Sequence, residues 1–210
     1  MGSSGDPIPI WLSVVGTWFV ALIALFGQAF WTWVRRPRLR LALLNSDGDL
    51  EVETLKWVDA GGVVRERQRE ARYYRLRVLN EQRASAVQDV QIVVDTIEVP
   101  LPNDRPRLEY SGPIPLTWQH PNAFPQFRSV GTPAVADFLV VTDESTLRLA
   151  TNVIPNKYKE EYVGDTRLWV TVAARGRELD SAAIRFRIHW DGLWERGALE
   201  MRNHLTIEQE

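Results

Sequence analysis

The hydrophobic and polar positions of this chain follow two different patterns, one before residue 35 and one after it. Residues 10–34 are 25 consecutive positions without a charge, rich in Leu, Val, Ile, Phe and Trp. As a helix rising ~1.5 Å per residue, this run would be roughly 37 Å long, against about 30 Å for the hydrocarbon core of a bilayer. Trp11 lies near one end, and Trp31 and Trp33 lie near the other. The pattern therefore predicts a transmembrane helix over residues 10–34 with tryptophans at both interfaces.

The flanks of this run predict its orientation. Four arginines follow it within six positions, whereas the N-terminal flank, residues 1–9, carries only Asp6. The positive-inside rule then places the N-terminus outside and the C-terminal domain in the cytoplasm. No basic region precedes the run, which disfavours a removable signal peptide. We predict a single-pass protein of the bacterial inner (cytoplasmic) membrane whose basic juxtamembrane segment, residues 35–40, contacts membrane lipid through Arg35, Arg36, Arg38 and Arg40.

Small and weakly polar residues recur on one face of the predicted helix, at spacings of 4, 4, 3, 4 and 4. Small side chains let membrane helices approach closely, and a buried amide or hydroxyl can hydrogen-bond across the contact. The pattern predicts a homo-oligomer formed through the helix, although such residues are also common in helices that only anchor a protein. This helix self-association face consists of Ser13, Thr17, Ala21, Ala24, Gln28 and Thr32.

Beyond residue 40 the pattern changes to the alternation of half-buried strands. Tyr74, Leu76 and Val78 fall on one face of a strand, and the arginines between them fall on the other. The clearest hairpin is "TRLWVTVAARGRELDSAAIRFRIHW", with a turn near residues 175–177. The proline-rich "PLPNDRPRLEYSGPIP" is interpreted as a surface loop. Eight or so strands without a convincing amphipathic helix predict an antiparallel β-sandwich or barrel over residues 41–194, followed by a C-terminal strand or tail over residues 195–210.

Charge and composition narrow the classes of partner. Of 25 basic and 27 acidic side chains, four arginines and Asp6 lie in residues 1–40, which leaves a net charge of −5 beyond them. Because nucleic-acid affinity comes largely from neutralising phosphates, we expect no nucleic-acid partner. The chain has no cysteine, so disulfides and cysteine-ligated metal sites are excluded.

The chain carries no recognisable catalytic or metal-binding motif. Its histidines, His120, His189 and His204, have no metal-ligand spacing. His189 and Asp191 share a face of a strand, but no nucleophile elbow accompanies them. We therefore predict no catalytic residue, no metal, no cofactor and no enzymatic activity.

An alternating arginine strand is the one candidate for recognition. Two interpretations of it stay open: a solvated protruding hairpin, or a surface that holds a phosphorylated or acidic partner. The tryptophans at 57, 118 and 169 lie in apolar runs and are interpreted as core. The candidate anionic-partner surface consists of Arg65, Arg67, Arg69, Arg75 and Arg77.

Two segments resemble the immunoglobulin-like sandwich domains. "RLRVLNEQRASAVQDVQIVV" is similar to a strand–turn–strand of that class, and "GDTRLWVTVAARG" is similar to its late hairpin. With one N-terminal helix and an R-P junction, the whole resembles a group of uncharacterised bacterial single-pass membrane proteins with a C-terminal immunoglobulin-like β-sandwich. The resemblance implies a mainly β fold and a tether, and it implies no activity.

These observations favour a non-catalytic binding module that is tethered to the membrane and presents a β-sandwich to a protein partner at its cytoplasmic face. The alternative is an oligomeric membrane effector, for example in anti-phage defence, whose helices form a pore under the control of a ligand-sensing β-domain.

Overall fold

The computed structural model describes residues 14–21, 23, 26–27, 38–81, 86–101, 105–119, 126–151, 161–177 and 179–210. The chain divides into two compact units, residues 1–36 and residues 37–210.

The described part of the first unit is helical at residues 14–21, 23 and 26–27. Among the described residues no helix is long and apolar enough to cross a bilayer. The predicted transmembrane helix over residues 10–34 is therefore wrong, and so is the single-pass placement in the inner membrane that depended on it.

The residues predicted to associate helices or contact lipid fall mostly outside the described residues. Thr17 and Ala21 lie in the described helical stretch, where Thr17 is exposed and Ala21 is half-buried. Arg38 is exposed, and Arg40 lies in the first strand, where its guanidinium is 3.7 Å from the carboxylate of Glu81. The members that lie outside the described residues are Ser13, Ala24, Gln28, Thr32, Arg35 and Arg36.

The described residues of the second unit form antiparallel strands and one short helix. In chain order the described strands are β1 (Leu39–Leu43), β2 (Asp49–Val58), β3 (Val64–Asn80), β4 (Val87–Pro100), β5 (Pro106–Pro115), β6 (Arg128–Val130), β7 (Ala134–Thr142), β8 (Thr146–Leu149), β9 (Tyr162–Val163), β10 (Thr166–Arg175), β11 (Ile184–Trp190) and β12 (Leu205–Gln209). The helix α1 (Ala198–Met201) precedes β12.

These strands form two six-stranded sheets. The first has the order β1-β3-β7-β8-β9, with β2 paired to the same strand β3 as β1. The second has the order β12-β11-β10-β4-β5, with β6 paired to β4. Every pairing is antiparallel, which confirms the coarse prediction of a mainly β, sandwich-like unit.

The core lies between the sheets because alternate side chains of each strand are apolar. In β3 the inward positions are Tyr74, Leu76 and Val78, as the alternation predicts. Phe138 of β7 and Phe186 of β11 meet with ring centroids 5.0 Å apart, so the two sheets contact through aromatic rings. Side chains that point the other way along the same strands carry most of the charge. The two outer faces are therefore where recognition chemistry can be sought.

Residues 106–115 of the proline-rich segment form a strand and not the loop that their composition indicates. β5 pairs with β4 along Pro106–Pro115 and forms the edge of the second sheet. Proline lacks a backbone donor, and an edge strand tolerates that loss because one of its sides needs no partner. The register shifts between Val94 and Thr96 of β4, which leaves room for Gly112 and Pro113 in an irregularity.

Gly48 sits in the turn between β1 and β2 with φ +62°, a conformation that favours glycine. A Cβ there would lie 2.8 Å from Cγ of Arg72 and 3.0 Å from the carbonyl oxygen of Tyr73. At Gly62, in the turn between β2 and β3, φ is +78° but no atom lies within 4 Å of such a Cβ.

We expect Gly48→Ala to lower the free energy of unfolding by about 2 kcal/mol, because backbone strain and a steric conflict add. The matched control Gly62→Ala carries only the strain, about 1 kcal/mol. Urea unfolding followed by tryptophan fluorescence measures both. Equal losses at the two glycines would contradict the close packing at Gly48.

Candidate functional site

The five arginines of the predicted anionic-partner surface share the outer face of β3, as the alternation predicts. Four of them have carboxylate partners. Arg65 pairs with Asp59, and Arg67 pairs with Glu144. Arg77 is exposed, and no described carboxylate lies within 4.0 Å of it.

Arg75 is only 5% exposed, yet it lies on this outer face. Its Nε donates to Oδ1 of Asp137 at 2.8 Å, and its two terminal nitrogens donate to Asp49 and Glu51. Burial by itself would lower the pKa of Arg75, but the hydrogen bonds to Glu51 and Asp137 outweigh it and raise that pKa. The charge of Arg75 is therefore balanced within the chain.

Glu53 of β2 is the centre of a second group of ion pairs. Its carboxylate accepts hydrogen bonds from Nε of Arg69 at 2.8 Å, from Nη2 of Arg148 at 2.7 Å and from the Tyr73 hydroxyl. Arg69 also donates to Glu144. Burial raises the pKa of Glu53, but these partners outweigh it and hold that pKa below its ordinary value of 4.5. Burial, together with the hydrogen bond to Glu53, raises the pKa of Tyr73.

The arginine surface is therefore mostly a set of internal ion pairs that fix β2 against β3, β7 and β8. Its role in binding an anionic partner stays a prediction, with Arg77 as its uncompensated member among the described residues.

The outer face of the second sheet contains a groove of about 300 Å³ across β10, β11 and β12. Its side chains occupy the outward positions of the strands, because the positions between them, such as Leu168 and Ile188, are buried in the core. The outward side chains of the groove are Arg167, Trp169, Arg187, His189, Thr206 and Glu208.

Two of the four arginines on β10 and β11 lie in this groove and form no ion pair among the described residues. Arg175 pairs with Asp95, and Arg185 pairs with Glu98. Arg167 and Arg187 are exposed, and in the described part of the chain no carboxylate oxygen lies within 4.0 Å of either guanidinium. Arg167 is directly opposite His189 in the ladder, which makes Arg167 and Arg187 diagonal neighbours about 7–8 Å apart. Their long side chains can therefore reach one shared anion.

Trp169 positions the guanidinium of Arg187. Arg187 is directly opposite it in the ladder, and its Cζ lies 6.0 Å from the centroid of the Trp169 ring. Arg185 lies 5.6 Å from the same centroid. The indole nitrogen of Trp169 donates to Oε1 of Glu210 at 3.3 Å, which fixes the orientation of the ring. Contacts between a cation and an aromatic face are attractive, and the guanidinium of Arg187 keeps its charge in such a contact.

Glu208 is the acidic member of the groove. It lies opposite Arg187 in the ladder between β11 and β12, but no ion pair within 4.0 Å joins their side chains in the structure. A carboxylate in this position would compete with an anion for Arg187.

His189 and Asp191, which the sequence places on one face of a strand, have different hydrogen-bond partners. Nε2 of His189 lies 3.0 Å from Oδ1 of Asp165, and Nδ1 of His204 lies 2.7 Å from Oδ2 of Asp191. Burial raises the pKa of Asp191, but the hydrogen bonds from His204 and from the backbone of Leu193 outweigh it and lower that pKa. His189 and Asp191 thus have separate partners.

Comparison with protein-family models, with curated proteins and with solved structures finds no match for this chain. A function can therefore be argued only from the geometry of its own residues. In the described ranges no three His, Asp or Glu side chains gather to hold a metal ion.

Sequence reasoning missed the groove because it placed Trp169 in the core. Trp118 is buried as expected, but Trp169 is half-exposed on the outer face, and Trp57 is 47% exposed on β2. The signal that could have corrected this is the alternation itself. Leu168 and Val170 flank Trp169 and are both buried, which puts the indole on the side of the arginines.

We expect Arg75→Gln to lower the free energy of unfolding by about 3 kcal/mol, because it leaves Asp137 buried without its cation. Arg77→Gln, two positions further on the same face, is the matched control and should change it by less than about 0.5 kcal/mol. Urea unfolding compares the two variants. If both variants lower the free energy of unfolding by an equally small amount, the ion pairs of Arg75 do not stabilise this face of the sheet.

Glu53 predicts a pH dependence of stability. Because folding lowers its pKa, ionised Glu53 favours the folded state, and this contribution is complete above about pH 5. It is lost as the pH falls through the lowered pKa. We expect the stability of Glu53→Gln to be lower at neutral pH and to fall less steeply below about pH 5 than that of the parent protein.

The measurement is urea unfolding over a series of pH values, with Glu66→Gln as control, since Glu66 lies on the opposite, exposed face of the same strand pair. Identical pH profiles for the parent and Glu53→Gln would show that ionised Glu53 does not contribute to stability as expected.

Proposed function

We propose that residues 37–210 form a non-catalytic binding module that holds an anionic group of a partner protein, a phosphate or a carboxylate, in the groove across β10, β11 and β12. The observation that carries this proposal is the pair of uncompensated arginines. Arg167 and Arg187 lie beside each other in the groove, whereas Arg175 and Arg185 on the same two strands are paired with carboxylates.

The chemistry of the groove suits an anion with an attached flat or apolar group. Two guanidinium groups offer paired donors to phosphate or carboxylate oxygens, the contact at which arginine is strongest. Trp169 adds an apolar surface beside them, and Thr206 adds a hydroxyl. Pockets for small groups usually have volumes from about 300 Å³ upward. A groove of this size matches one side chain of a partner rather than a large cofactor.

Binding is a better account of the groove than catalysis. The ring of His189 is engaged by Asp165, and among the described residues no hydrogen bond joins it to the hydroxyl of Thr206. A nucleophile needs a base within hydrogen-bond reach. The groove supplies attraction and orientation, which is the chemistry of recognition.

The immunoglobulin-like interpretation of the fold also belongs to this proposal. The order β11-β10-β4-β5 is that of strands G, F, C and C′ in immunoglobulin variable-type domains, and β1-β3-β7 follows A, B and E. The neighbour of β7 departs from that pattern, because β8 follows it along the chain, whereas strand D precedes strand E. Domains of this class commonly bind protein partners, and the outer sheet face used here is open.

We expect phosphoserine and inorganic phosphate to bind the protein and to change the fluorescence of Trp169. Arg187→Gln and Arg167→Gln should each weaken binding about tenfold, because each removes a charge-assisted contact worth roughly 1.5 kcal/mol. Glu208→Gln should tighten binding several-fold by removing a competing carboxylate. Calorimetric titration of each variant measures these changes, and Trp169→Phe assigns the fluorescence signal.

Arg175→Gln is the matched control. It removes one arginine charge from β10, the strand of Arg167, at a position outside the groove. Titration with N-acetylglutamate in place of phosphoserine separates a carboxylate ligand from a phosphate ligand. Equal weakening by Arg175→Gln and Arg187→Gln would mean that the anions respond only to overall charge, and the proposal would fail.

A further inference from the structure

β2 is a long strand with one free edge. It pairs with β3 along all ten residues, from Asp49 to Val58, without a bulge. No described strand pairs with its other side. Ten residues extend about 33 Å, and the segment contains no proline. An edge of this length that lacks bulges and prolines is a template for pairing with another strand.

The hydrogen bonds of the turn show which backbone groups of β2 face the free edge. The N–H of Asp59 donates to the carbonyl oxygen of Val63 at 2.9 Å. Because donors and acceptors in a strand alternate sides with a period of two, the odd-numbered residues of β2 bond to β3. The even-numbered residues point their N–H and C=O groups away from it. They are Leu50, Val52, Thr54, Lys56 and Val58.

The side chains of the same residues form an exposed and partly apolar row. Leu50 is 39% exposed, Val52 is 60% exposed and Val58 is 64% exposed. Val64 of β3, directly opposite Val58, is 62% exposed. Unpaired backbone groups and apolar side chains thus lie along one edge, and extending the sheet would cover both.

The edge is complementary to itself. Two copies of β2 can pair antiparallel through a two-fold axis perpendicular to the sheet. The residue at the axis then lies opposite the same residue of the other copy. Only two such registers pair nine of the ten residues, one centred on Glu53 and one centred on Thr54. The first opposes two identical carboxylates, which is destabilising. The second opposes no like charges within β2: its pairs are Leu50 with Val58, Glu51 with Trp57, Val52 with Lys56, Glu53 with Leu55, and Thr54 with Thr54.

We infer that β2 pairs with β2 of a second copy of this chain, antiparallel and centred on Thr54. The pairing joins the first sheets of two copies into one continuous sheet. Leu50 of each copy packs beside Val58 of the other, which removes that apolar surface from water. This interface is on the first sheet and is independent of the groove on the second.

The absence of cysteine makes the register directly testable. In Thr54→Cys the two introduced thiols face each other across the axis, where Cα atoms of a hydrogen-bonded pair are about 5.5 Å apart, within the range of a disulfide. In Val52→Cys, on the same face, the two copies are four positions out of register, about 13 Å apart. Mild oxidation should therefore cross-link the full-length Thr54→Cys protein into a covalent dimer and leave Val52→Cys uncross-linked.

The mass of the full chain in solution tests the interface without cross-linking. We expect a dimer, and Val52→Lys should shift it toward monomer because each new lysine opposes Lys56 of the other copy. A monomeric parent protein at about 100 µM, or equal cross-linking of the two cysteine variants, would overturn the inference. A monomer that gains a strand from an added extended peptide would assign the edge to another chain instead.

Discussion

The guanidinium of Arg75 is almost excluded from water, and it keeps its charge because three carboxylates surround it. Removing an arginine from water is costly unless counter-charges accompany it, and the two buried arginines on the outer face of the first sheet obey this constraint. Asp137 balances Arg75, and Glu53 balances Arg69. On the second sheet Arg175 and Arg185 are more exposed, yet they pair with Asp95 and Glu98. Arg167 and Arg187 on the same two strands are exposed and have no ion pair within the described chain.

The same ion pairs join the strands that carry the two proposed binding surfaces. Glu53 and Glu144 hold the base of the β2–β3 strand pair against β7 and β8, so the free edge of β2 is presented in a fixed position. On the second sheet, Trp169 lies between the paired Arg185 and the unpaired Arg187. A binding group that is already oriented loses less conformational entropy when its ligand arrives. Paired charges on each sheet thus hold the surfaces that are proposed to bind.

Much of the β unit is readable from local pattern, and the rest depends on contacts that local pattern does not contain. Alternation correctly predicts that Leu76 and Phe186 face the core while their neighbours Arg75 and Arg187 face outward, because successive side chains of a strand point to opposite faces. It does not reveal that Arg75 meets Asp137, 62 residues away, or that Arg69 meets Glu53. Apolar composition misled twice: it placed Trp169 in the core, and over residues 10–34 it predicted a membrane-spanning helix that the described residues do not form. Proline content hid β5, because an edge strand tolerates prolines that a central strand would exclude.

The proposed anion site depends on Arg167 and Arg187, which have no ion pair within 4.0 Å among the described residues. The Nε–H resonances of arginine side chains, followed by ¹H–¹⁵N NMR while inorganic phosphate is added, test the site directly. We expect the resonances of Arg167 and Arg187 to shift together along one binding curve, while those of Arg175, Arg185 and Arg75 stay in place. Uniform small shifts of all five, or shifts confined to arginines outside the groove, would contradict it.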